Sequence, residues 1–228
     1  MTYENKSYNS VTIMSDIHIG TDVCNSSAVL KVLDELDTEL LVINGDLFDS
    51  FNARLCKSQW KILSKLRKLS DEIEIIWVTG NHDEQEPHPE FIGSLIGIKV
   101  LNEFRFIYEG YKVICIHGHI WDEFISKHPR ITHIADFIYG IFQKIDRSHR
   151  VARWLKRVSK TFLRNKERIK NKALKYCDEQ SADVIICGHT HYAERLDGTT
   201  SRYINGGCFT ETPATYIKNL HIYTVEHA

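Results

Sequence analysis

Short apolar runs rich in β-branched residues recur along the first third of the chain, and segments with helical spacing separate them. Three of these runs predict strands, at 11–14, 40–43 and 73–78. The apolar residues of 57–69 recur every three or four positions and predict a helix, and another helix is predicted from Ser26 or Ser27 to about residue 36. This alternation is typical of βαβ units in a parallel sheet.

The apolar runs of the later part of the chain lie closer together. They predict seven further strands, at 98–101, 104–108, 112–116, 184–187, 202–204, 214–217 and 220–225. The first three of these come without long helices between them, so this part of the sheet is predicted to be mixed. Together the two patterns predict an α/β fold.

The pattern becomes helical between these two groups of strands. Apolar residues form one stripe over 131–145 and another over 151–162, which predicts at least two amphipathic helices. Within 126–176 there are fifteen Lys or Arg and three acidic residues, a net charge of +12, although the whole chain carries −1. We interpret 124–180 as a basic amphipathic insertion that can contact a membrane surface, with ordinary helix packing and a solvated basic face as the alternative.

The length and composition bound the organisation of the chain. With 228 residues, 43% of them hydrophobic, it can bury one sizeable core but not two and a linker. We therefore predict a single domain over 1–228, with a core formed by 1–123 and 181–228. Six scattered cysteines without a CxxC pair indicate reduced thiols. No window approaches the roughly twenty apolar residues of a membrane span, so we expect a cytoplasmic protein that is free or peripheral at the inner membrane.

Five short motifs rich in Asp, Asn and His end or directly follow apolar runs. They are SDIH (15–18), NGDLFD (44–49), GNHD (80–83), HGHIWD (117–122) and CGHTH (187–191). Because strand ends meet at the rim of a sheet, we expect these polar side chains to gather at one rim. They contain seven candidate metal ligands: Asp16, His18, Asp46, Asn81, His117, His189 and His191.

The types of these residues indicate which metals the site would suit. Carboxylate and amide oxygens combined with imidazole nitrogens suit Mn²⁺, Fe or Zn²⁺. Asp16 and His18 are separated by one residue, so at the end of an extended strand both can point to the same side. Taken alone, Asp16 and His18 are better explained by a polar strand end, and His189 and His191 by a hydrogen-bonded turn, but the combination of five motifs favours a metal site.

In this order the motifs resemble the DxH, GDxxD, GNH(D/E), HGH or HGD, and GHTH patterns of the calcineurin-like metallophosphoesterases. The resemblance implies a metallophosphoesterase-type β-sandwich flanked by helices (αββα), and two divalent metal ions, Mn²⁺ first, with Fe or Zn²⁺ as alternatives. It implies a metal-dependent hydrolase that attacks phosphorus with a metal-bridging hydroxide. One metal would be held by Asp16, His18, Asp46 and His191, and the other by Asp46, Asn81, His117 and His189.

Two further residues of the motifs are candidate catalytic residues. His82 is expected to donate a hydrogen bond or proton to the leaving-group oxygen, with Asp83 fixing its orientation. Asp49 and Asp122 are expected to accept hydrogen bonds from ligating imidazoles or backbone amides, and a helix N-cap is an equal alternative for Asp49. His119 is left outside these seven ligands, and whether its imidazole or its backbone carbonyl binds a metal stays open.

The placement of the insertion and the closing segment 203–217 resemble the UDP-2,3-diacylglucosamine pyrophosphatase branch of this superfamily, which acts in bacterial lipid A biosynthesis. This resemblance implies hydrolysis of a pyrophosphate or phosphodiester bond in a lipid-linked or nucleotide-sugar substrate. The chain departs from that branch at His119, which is commonly Asp, at 207–208, where relatives often show Asp-Trp, and in GNHD, where the best-known members have GNRD. The reaction type is therefore better supported than the sugar.

Other functions stay open at this stage. A nuclease or a cyclic-nucleotide phosphodiesterase would use the same metal site with a different pocket. A catalytically silent metal-binding scaffold is the alternative of another class, although it would have no need of seven converging ligands. As a partner, nucleic acid ranks below a small-molecule phosphoester because no binding module is recognisable and the aromatic residues of the insertion lie on its apolar stripe. The oligomeric state stays open.

Overall fold

The structure, a computed structural model, describes residues 6–84, 88–122 and 160–226. The predicted apolar stripe over 131–145 and most of the stripe over 151–162 lie outside these residues. No helix in the described ranges is both long enough and apolar enough to cross a membrane.

The first of two sheets is built around four parallel strands of the N-terminal half. Its strands are β2 (Val11–Met14), β3 (Leu40–Asn44), β4 (Glu74–Val78), β5 (Lys99–Leu101), β11 (Thr215–Lys218) and β12 (His221–Thr224). They follow the order β12-β11-β2-β3-β4-β5, with β2 to β5 parallel and β11 antiparallel to both of its neighbours. Every residue of β2 and β3 is buried, which explains their continuous apolar runs.

The second sheet is mixed, as predicted for the later strands. Its strands are β1 (Ser7–Tyr8), β6 (Phe104–Tyr108), β7 (Tyr111–Cys115), β8 (Val184–Cys187), β9 (Glu194–Asp197) and β10 (Arg202–Asn205). The order is β1-β6-β7-β8-β10-β9. Strands β7, β8 and β10 are parallel, while β6 and β9 are antiparallel to β7 and β10.

The two sheets pack face to face, and helices cover their outer faces. Between the sheets, Val42 and Ile76 belong to the same fully buried cluster as Phe106 and Val113. The outer face of the first sheet packs against α1 (Ser26–Asp34), α2 (Lys57–Leu69) and α3 (Pro89–Leu95), and that of the second against α4 (Lys160–Glu179). The αββα fold class implied by the sequence is therefore confirmed.

Helix α4 belongs to the core, although the sequence predicts it as part of the insertion. The sequence places 160–179 in an insertion, with the core resuming at 181. In the structure Ala173 and Cys177 of α4 are fully buried against Ile185 and Tyr203 of the second sheet. The C-terminal part of the segment is thus a core layer, because the outer face of that sheet needs an apolar cover.

Smaller differences concern caps and short elements. Asn25, not Ser26 or Ser27, caps α1, since its side-chain oxygen accepts a hydrogen bond from the Ala28 amide at 3.1 Å. The sequence analysis misses β1, β9 and α3. These elements have two to seven residues, too few for a period to show.

Candidate metal centre

The candidate ligands lie where strand ends of both sheets meet. Four follow β2, β3 and β4 of the first sheet: Asp16, His18, Asp46 and Asn81. Three follow β7 and β8 of the second sheet: His117, His189 and His191. The periodicity alone predicts one rim of one sheet, whereas the structure uses the facing rims of two sheets.

Hydrogen bonds join the two rims next to the ligands. The His117 Nδ1 lies 3.0 Å from the Asn44 carbonyl oxygen at the end of β3. The Asn44 side-chain amide donates to the carbonyl of Ile186 in β8 at 3.1 Å. The His189 backbone amide lies 3.1 Å from both carboxylate oxygens of Asp16. These contacts hold loops that are distant in the sequence at fixed separation.

Most ligand positions have a left-handed backbone. Five of the seven have φ between 52° and 65°: Asp16, His18, Asp46, His189 and His191. Non-glycine residues rarely adopt this conformation, and it is typical of functional sites. Asp16 and His18 are therefore not on an extended strand as the sequence analysis assumes. Sharp turns after the strand bring their side chains together instead.

Glycines beside the ligands allow close approach. A Cβ added to Gly80 would lie 2.2 Å from Asp46 Oδ1, and one added to Gly45 would lie 2.0 Å from His117 Nδ1. Neither distance is compatible with a side chain. The glycines of these two motifs thus leave the space that a ligand of another motif occupies.

The first group of ligands consists of Asp16, His18 and His191, whose ligand atoms all lie within 4.8 Å of one another. His191 Nε2 is 3.1 Å from Asp16 Oδ1 and 3.3 Å from His18 Nε2. His18 Nδ1 faces the Asp49 carboxylate at 3.1 Å, which leaves Nε2 for a cation. Two imidazole nitrogens and a carboxylate oxygen thus converge on one point.

The second group consists of Asp46, His117 and His189, again within 4.8 Å of one another. His117 Nε2 is 3.3 Å from Asp46 Oδ2, and His18 Nε2 of the first group is 3.6 Å from the same oxygen. Asp46 therefore lies between the two groups, the position expected of a bridging carboxylate. Asn81 adjoins it, since the next backbone amide, that of His82, donates to Asp46 Oδ1 at 3.0 Å.

Two buried atoms fit a metal site particularly well. Asn81 Oδ1 and His117 Nε2 are both buried and have no hydrogen-bond partner. A buried acceptor without a partner costs free energy unless a ligand satisfies it. His117 Nδ1–H donates a hydrogen bond to the Asn44 carbonyl oxygen. In the neutral imidazole, Nε2 therefore carries no proton and has a lone pair for a cation. An amide oxygen and an imidazole nitrogen are ligands of the types that divalent transition metals accept.

Charge keeps the buried carboxylates ionised. Burial acts to raise the pKa of Asp46, but the positive charge that His117 carries when it is protonated outweighs burial and holds the pKa well below its usual value. His191 lowers the pKa of Asp16 in the same way against burial. Burial acts to lower the pKa of His117, but the Asp46 charge raises it to about 10. A cation that binds His117 therefore competes with a proton.

Asp122 orients the other ligating histidine of the second group. Its Oδ2 is 3.0 Å from His189 Nε2, which leaves Nδ1 of that ring for a cation. The same oxygen accepts a hydrogen bond from the Asn165 side chain of α4 at 2.8 Å. Asp49 and Asp122 thus both contact imidazoles, as expected, and Asp49 does not cap a helix. Asn165 is a contact that sequence reasoning misses, because no motif or spacing marks it.

His82 lies at the edge of the centre. Its Nδ1 is 3.1 Å from the Asp49 carbonyl oxygen and 3.6 Å from the Asp49 carboxylate. Donation from Nδ1 to that carbonyl leaves Nε2 available to a substrate. The ring packs edge-on against His18, at 4.9 Å between centroids, and its ligand atom lies within 4.8 Å of those of His18 and Asp46.

Asp83 has a different role from the one expected. Among the described residues it has no contact with the His82 ring, which Asp49 orients instead. Its carboxylate accepts four hydrogen bonds, of 2.8 to 3.2 Å, from the amides of Asp46, Phe48 and Gly80 and the Trp77 indole. Burial and then the Asp46 charge raise its pKa to about 6. Asp83 positions the loops after β3 and β4.

His119 lies beside the second group without joining it. Its ring centroid is 5.5 Å from that of His117, and its Nε2 faces the Glu84 carboxylate at 3.3 Å. Its Nδ1 is buried without a partner. Burial, followed by the charges of His117 and His189, lowers its pKa to about 4. His119 is therefore a neutral group at the rim of the centre.

A family comparison agrees with this geometry. Residues 10–193 match the model of the calcineurin-like phosphoesterases. This range contains all five motifs and all seven candidate ligands. The chain therefore belongs to the calcineurin-like phosphoesterase family, the family that its five motifs resemble.

Solved structures share the fold at low sequence identity. A novel archaeal phosphodiesterase is 15% identical over 95% of this chain and 98% of its own, with a TM-score of 0.52. The E. coli phosphoesterase Yfce is 17% identical over 92% of this chain and 87% of its own, with a TM-score of 0.50. A single mutant of Vps29 from Entamoeba histolytica is 15% identical over 92% and 84%, also with a TM-score of 0.50. These similarities show the fold.

A local sequence match comes from the DNA polymerase II small subunit of Archaeoglobus fulgidus. It is 37% identical over 79 residues. The match spans 31% of this chain and 16% of that subunit.

Proposed function

We propose that this protein is a metal-dependent phosphoesterase that hydrolyses a phosphodiester or pyrophosphate bond. The observation that carries the proposal is the pair of buried atoms without partners, Asn81 Oδ1 and His117 Nε2, beside the bridging carboxylate of Asp46. Because neither atom has a partner within the protein, both favour a bound metal ion, which this type of phosphoester hydrolysis requires. Family membership and the two ligand groups support the same conclusion.

The candidate ligands divide into one set for each of two cations. When bound, two divalent cations lower the pKa of water and polarise a phosphoryl group, and Mn²⁺ is our first candidate, with Fe or Zn²⁺ as alternatives. Asp16, His18, Asp46 and His191 would hold one cation, and Asp46, Asn81, His117 and His189 the other. Asp49 and Asp122 hold His18 Nδ1 and His189 Nε2, so the other nitrogen of each ring would face a cation.

His82 is the candidate for protonating the leaving group. Its Nδ1 is held by the Asp49 carbonyl, so Nε2 can donate a hydrogen bond or a proton to the departing oxygen. Since 35% of its side chain is exposed, a substrate can reach it.

For the substrate we propose a lipid-linked or nucleotide-sugar pyrophosphate, similar to UDP-2,3-diacylglucosamine. The motif pattern supports it, and so does the basic composition of the segment before α4, where residues 126–159 hold eight Lys or Arg and two acidic residues, because a basic amphipathic segment attracts an anionic headgroup at a membrane surface. Much of that segment lies outside the described residues. Contact with a membrane surface is part of the same proposal.

A nuclease is the second candidate, since the local match of 37% is to a subunit of a DNA polymerase. Cyclic nucleotides remain a third class of substrate. The metal centre is common to all three and does not choose between them.

Hydrolysis of bis(p-nitrophenyl) phosphate with added Mn²⁺ tests the reaction type. We expect turnover in the parent protein and at least a hundredfold loss in His117→Ala. Turnover no higher than that of the variant would favour the silent scaffold. A panel containing UDP-sugars, UDP-diacylglucosamine in detergent micelles, cyclic nucleotides and single-stranded oligonucleotides then separates the substrate classes by kcat/KM.

A further inference from the structure

Large exposed apolar side chains directly follow two of the motif histidines. Ile120 comes after His119 with 59% of its surface exposed, and Tyr192 comes after His191 with 41% exposed. His191 is a candidate ligand of the first group, so its neighbour Tyr192 lies at the edge of the metal centre. Exposed apolar side chains at the rim of a site are typical of ligand contacts.

The ring of Tyr192 is fixed on one face. Lys166 Nζ of α4 lies 3.7 Å from the ring centroid, a cation–π contact. The lysine is itself held, because its Nζ is 3.1 Å from Glu194 Oε2 and only 7% of the residue is exposed. The ring therefore has a defined orientation, and the part that Lys166 leaves uncovered faces solvent.

Helix α4, which contains Lys166, also contacts the metal centre. Asn165, next to Lys166, donates to Asp122, which contacts the ligating ring of His189. Tyr192 is thus linked to the centre twice, through its chain neighbour His191 and through α4. A rigid aromatic ring at this position can receive a flat group attached to the phosphate that is being cleaved.

We propose that Tyr192 is a specificity-determining residue that stacks with the nucleobase of a nucleotide phosphoester. This inference rests on the proposed phosphoesterase function and names the residue that would contact the base in its nucleotide-containing candidate substrates. Stacking suits a base because both surfaces are flat, and it costs little entropy when the tyrosine is already oriented. Base stacking on aromatic side chains typically changes affinity by about fivefold to a hundredfold.

Two chromogenic substrates that differ only in the nucleoside test the inference. Thymidine 5′-monophosphate p-nitrophenyl ester and methyl p-nitrophenyl phosphate release the same leaving group. We expect the parent protein to prefer the thymidine ester through a lower KM. In Tyr192→Ala the ratio of the two kcat/KM values should fall by about tenfold, and Tyr192→Phe should retain it.

Tyr111→Ala is a matched control. Tyr111 has a similar exposure, 42%, and a similar cation–π contact, with Arg202 at 5.6 Å, but it begins β7 at the end opposite His117. The control should keep the parent ratio. An unchanged ratio in Tyr192→Ala, or an equal loss in Tyr111→Ala, would overturn the inference while leaving the proposed hydrolysis intact.

Binding supplies a readout that does not need turnover. Calorimetric titration with thymidine 5′-monophosphate should give an affinity about tenfold weaker in Tyr192→Ala than in the parent and in Tyr192→Phe. If neither ester is hydrolysed, the proposed phosphodiesterase activity fails, and this titration still decides the role of Tyr192. Equal affinities in all three proteins would refute that role.

Discussion

At the scale of single residues, the centre depends on which nitrogen of each histidine is free. Asp49 contacts Nδ1 of His18, and the Asn44 carbonyl contacts Nδ1 of His117, so both rings keep Nε2 for a cation. Asp122 contacts Nε2 of His189, so that ring keeps Nδ1 for a cation. The orientation of the imidazoles is therefore set before any cation binds, which reduces the cost of binding.

Removal of the His82 imidazole tests its separation from the metal ligands. We expect His82→Ala to lower kcat by about 10²- to 10⁴-fold, the range typical of a lost general acid, with unchanged metal content. Elemental analysis of purified protein measures the metal, and steady-state kinetics the turnover. His221→Ala, an exposed histidine of β12, is the control. Loss of metal from His82→Ala would instead make it a ligand, as its distance from His18 and Asp46 permits.

Metal affinity should increase with pH. The pKa of His117 is raised to about 10, so the ring is protonated at neutral pH and must lose its proton to bind a cation. Below that pKa, the apparent affinity for Mn²⁺ should increase about tenfold per pH unit for each proton released. Calorimetric titrations in buffers of different ionisation enthalpy count the protons. Heats that do not depend on the buffer would contradict the prediction.

At the scale of elements, hydrogen bonds join the loops after β2, β3 and β4 to one another. Asp83, after β4, accepts hydrogen bonds from the amides of Asp46 and Phe48 after β3. The Asp16 amide in turn donates to the Gly45 carbonyl at 3.0 Å. The turns that carry Asp16 and Asp46 are thus each held by the next turn along the first sheet.

Replacing Asp83 by Asn should loosen this arrangement. An amide group has one acceptor oxygen in place of two, so its NH₂ must face a backbone or indole donor that now has no partner. We expect Asp83→Asn to lower the free energy of unfolding by about 1–3 kcal/mol. Chemical denaturation measures the change, with the exposed Asp71→Asn as the control. A loss below about 0.5 kcal/mol would show that this carboxylate is not a structural link.

At the scale of the whole molecule, the centre joins the two sheets. Ligands of the first group follow β2 and β8, and those of the second follow β3, β7 and β8, so each group includes residues from both sheets. A cation bound in either group would therefore cross-link the two halves of the sandwich. The binding free energy would add to the stability of the whole domain.

Mn²⁺ should accordingly raise the midpoint of thermal unfolding. At a hundredfold excess over Kd, one bound cation adds about 2.7 kcal/mol, which corresponds to roughly 5–10 °C for a domain of this size. Scanning calorimetry with Mn²⁺ and with EDTA measures the shift. His117→Ala should reduce it, and His221→Ala should keep it. Equal midpoints with and without Mn²⁺ in the parent protein would argue against a centre that spans the sheets.

Much of this protein is determined by local sequence. The strands β2, β3, β4 and β8 follow from apolar runs buried on both faces, and α2 follows from its helical period, so each is predicted within one residue of its observed bounds. The five motifs identify the candidate ligands for a similar reason. Metal binding requires Asp, Asn and His side chains, and four of the five motifs also contain a glycine, which is typical of a tight turn after a strand.

Only the tertiary structure decides how these parts combine. The pairing of strands into two sheets, the inclusion of α4 in the core, and the contacts of Asp83, Asn165 and Lys166 all join residues far apart in the sequence. The hydrophobic period shows which face of a helix or strand is buried. It does not show which other element packs against that face. The left-handed turns at the ligands and the fixed ring of Tyr192 arise from that packing.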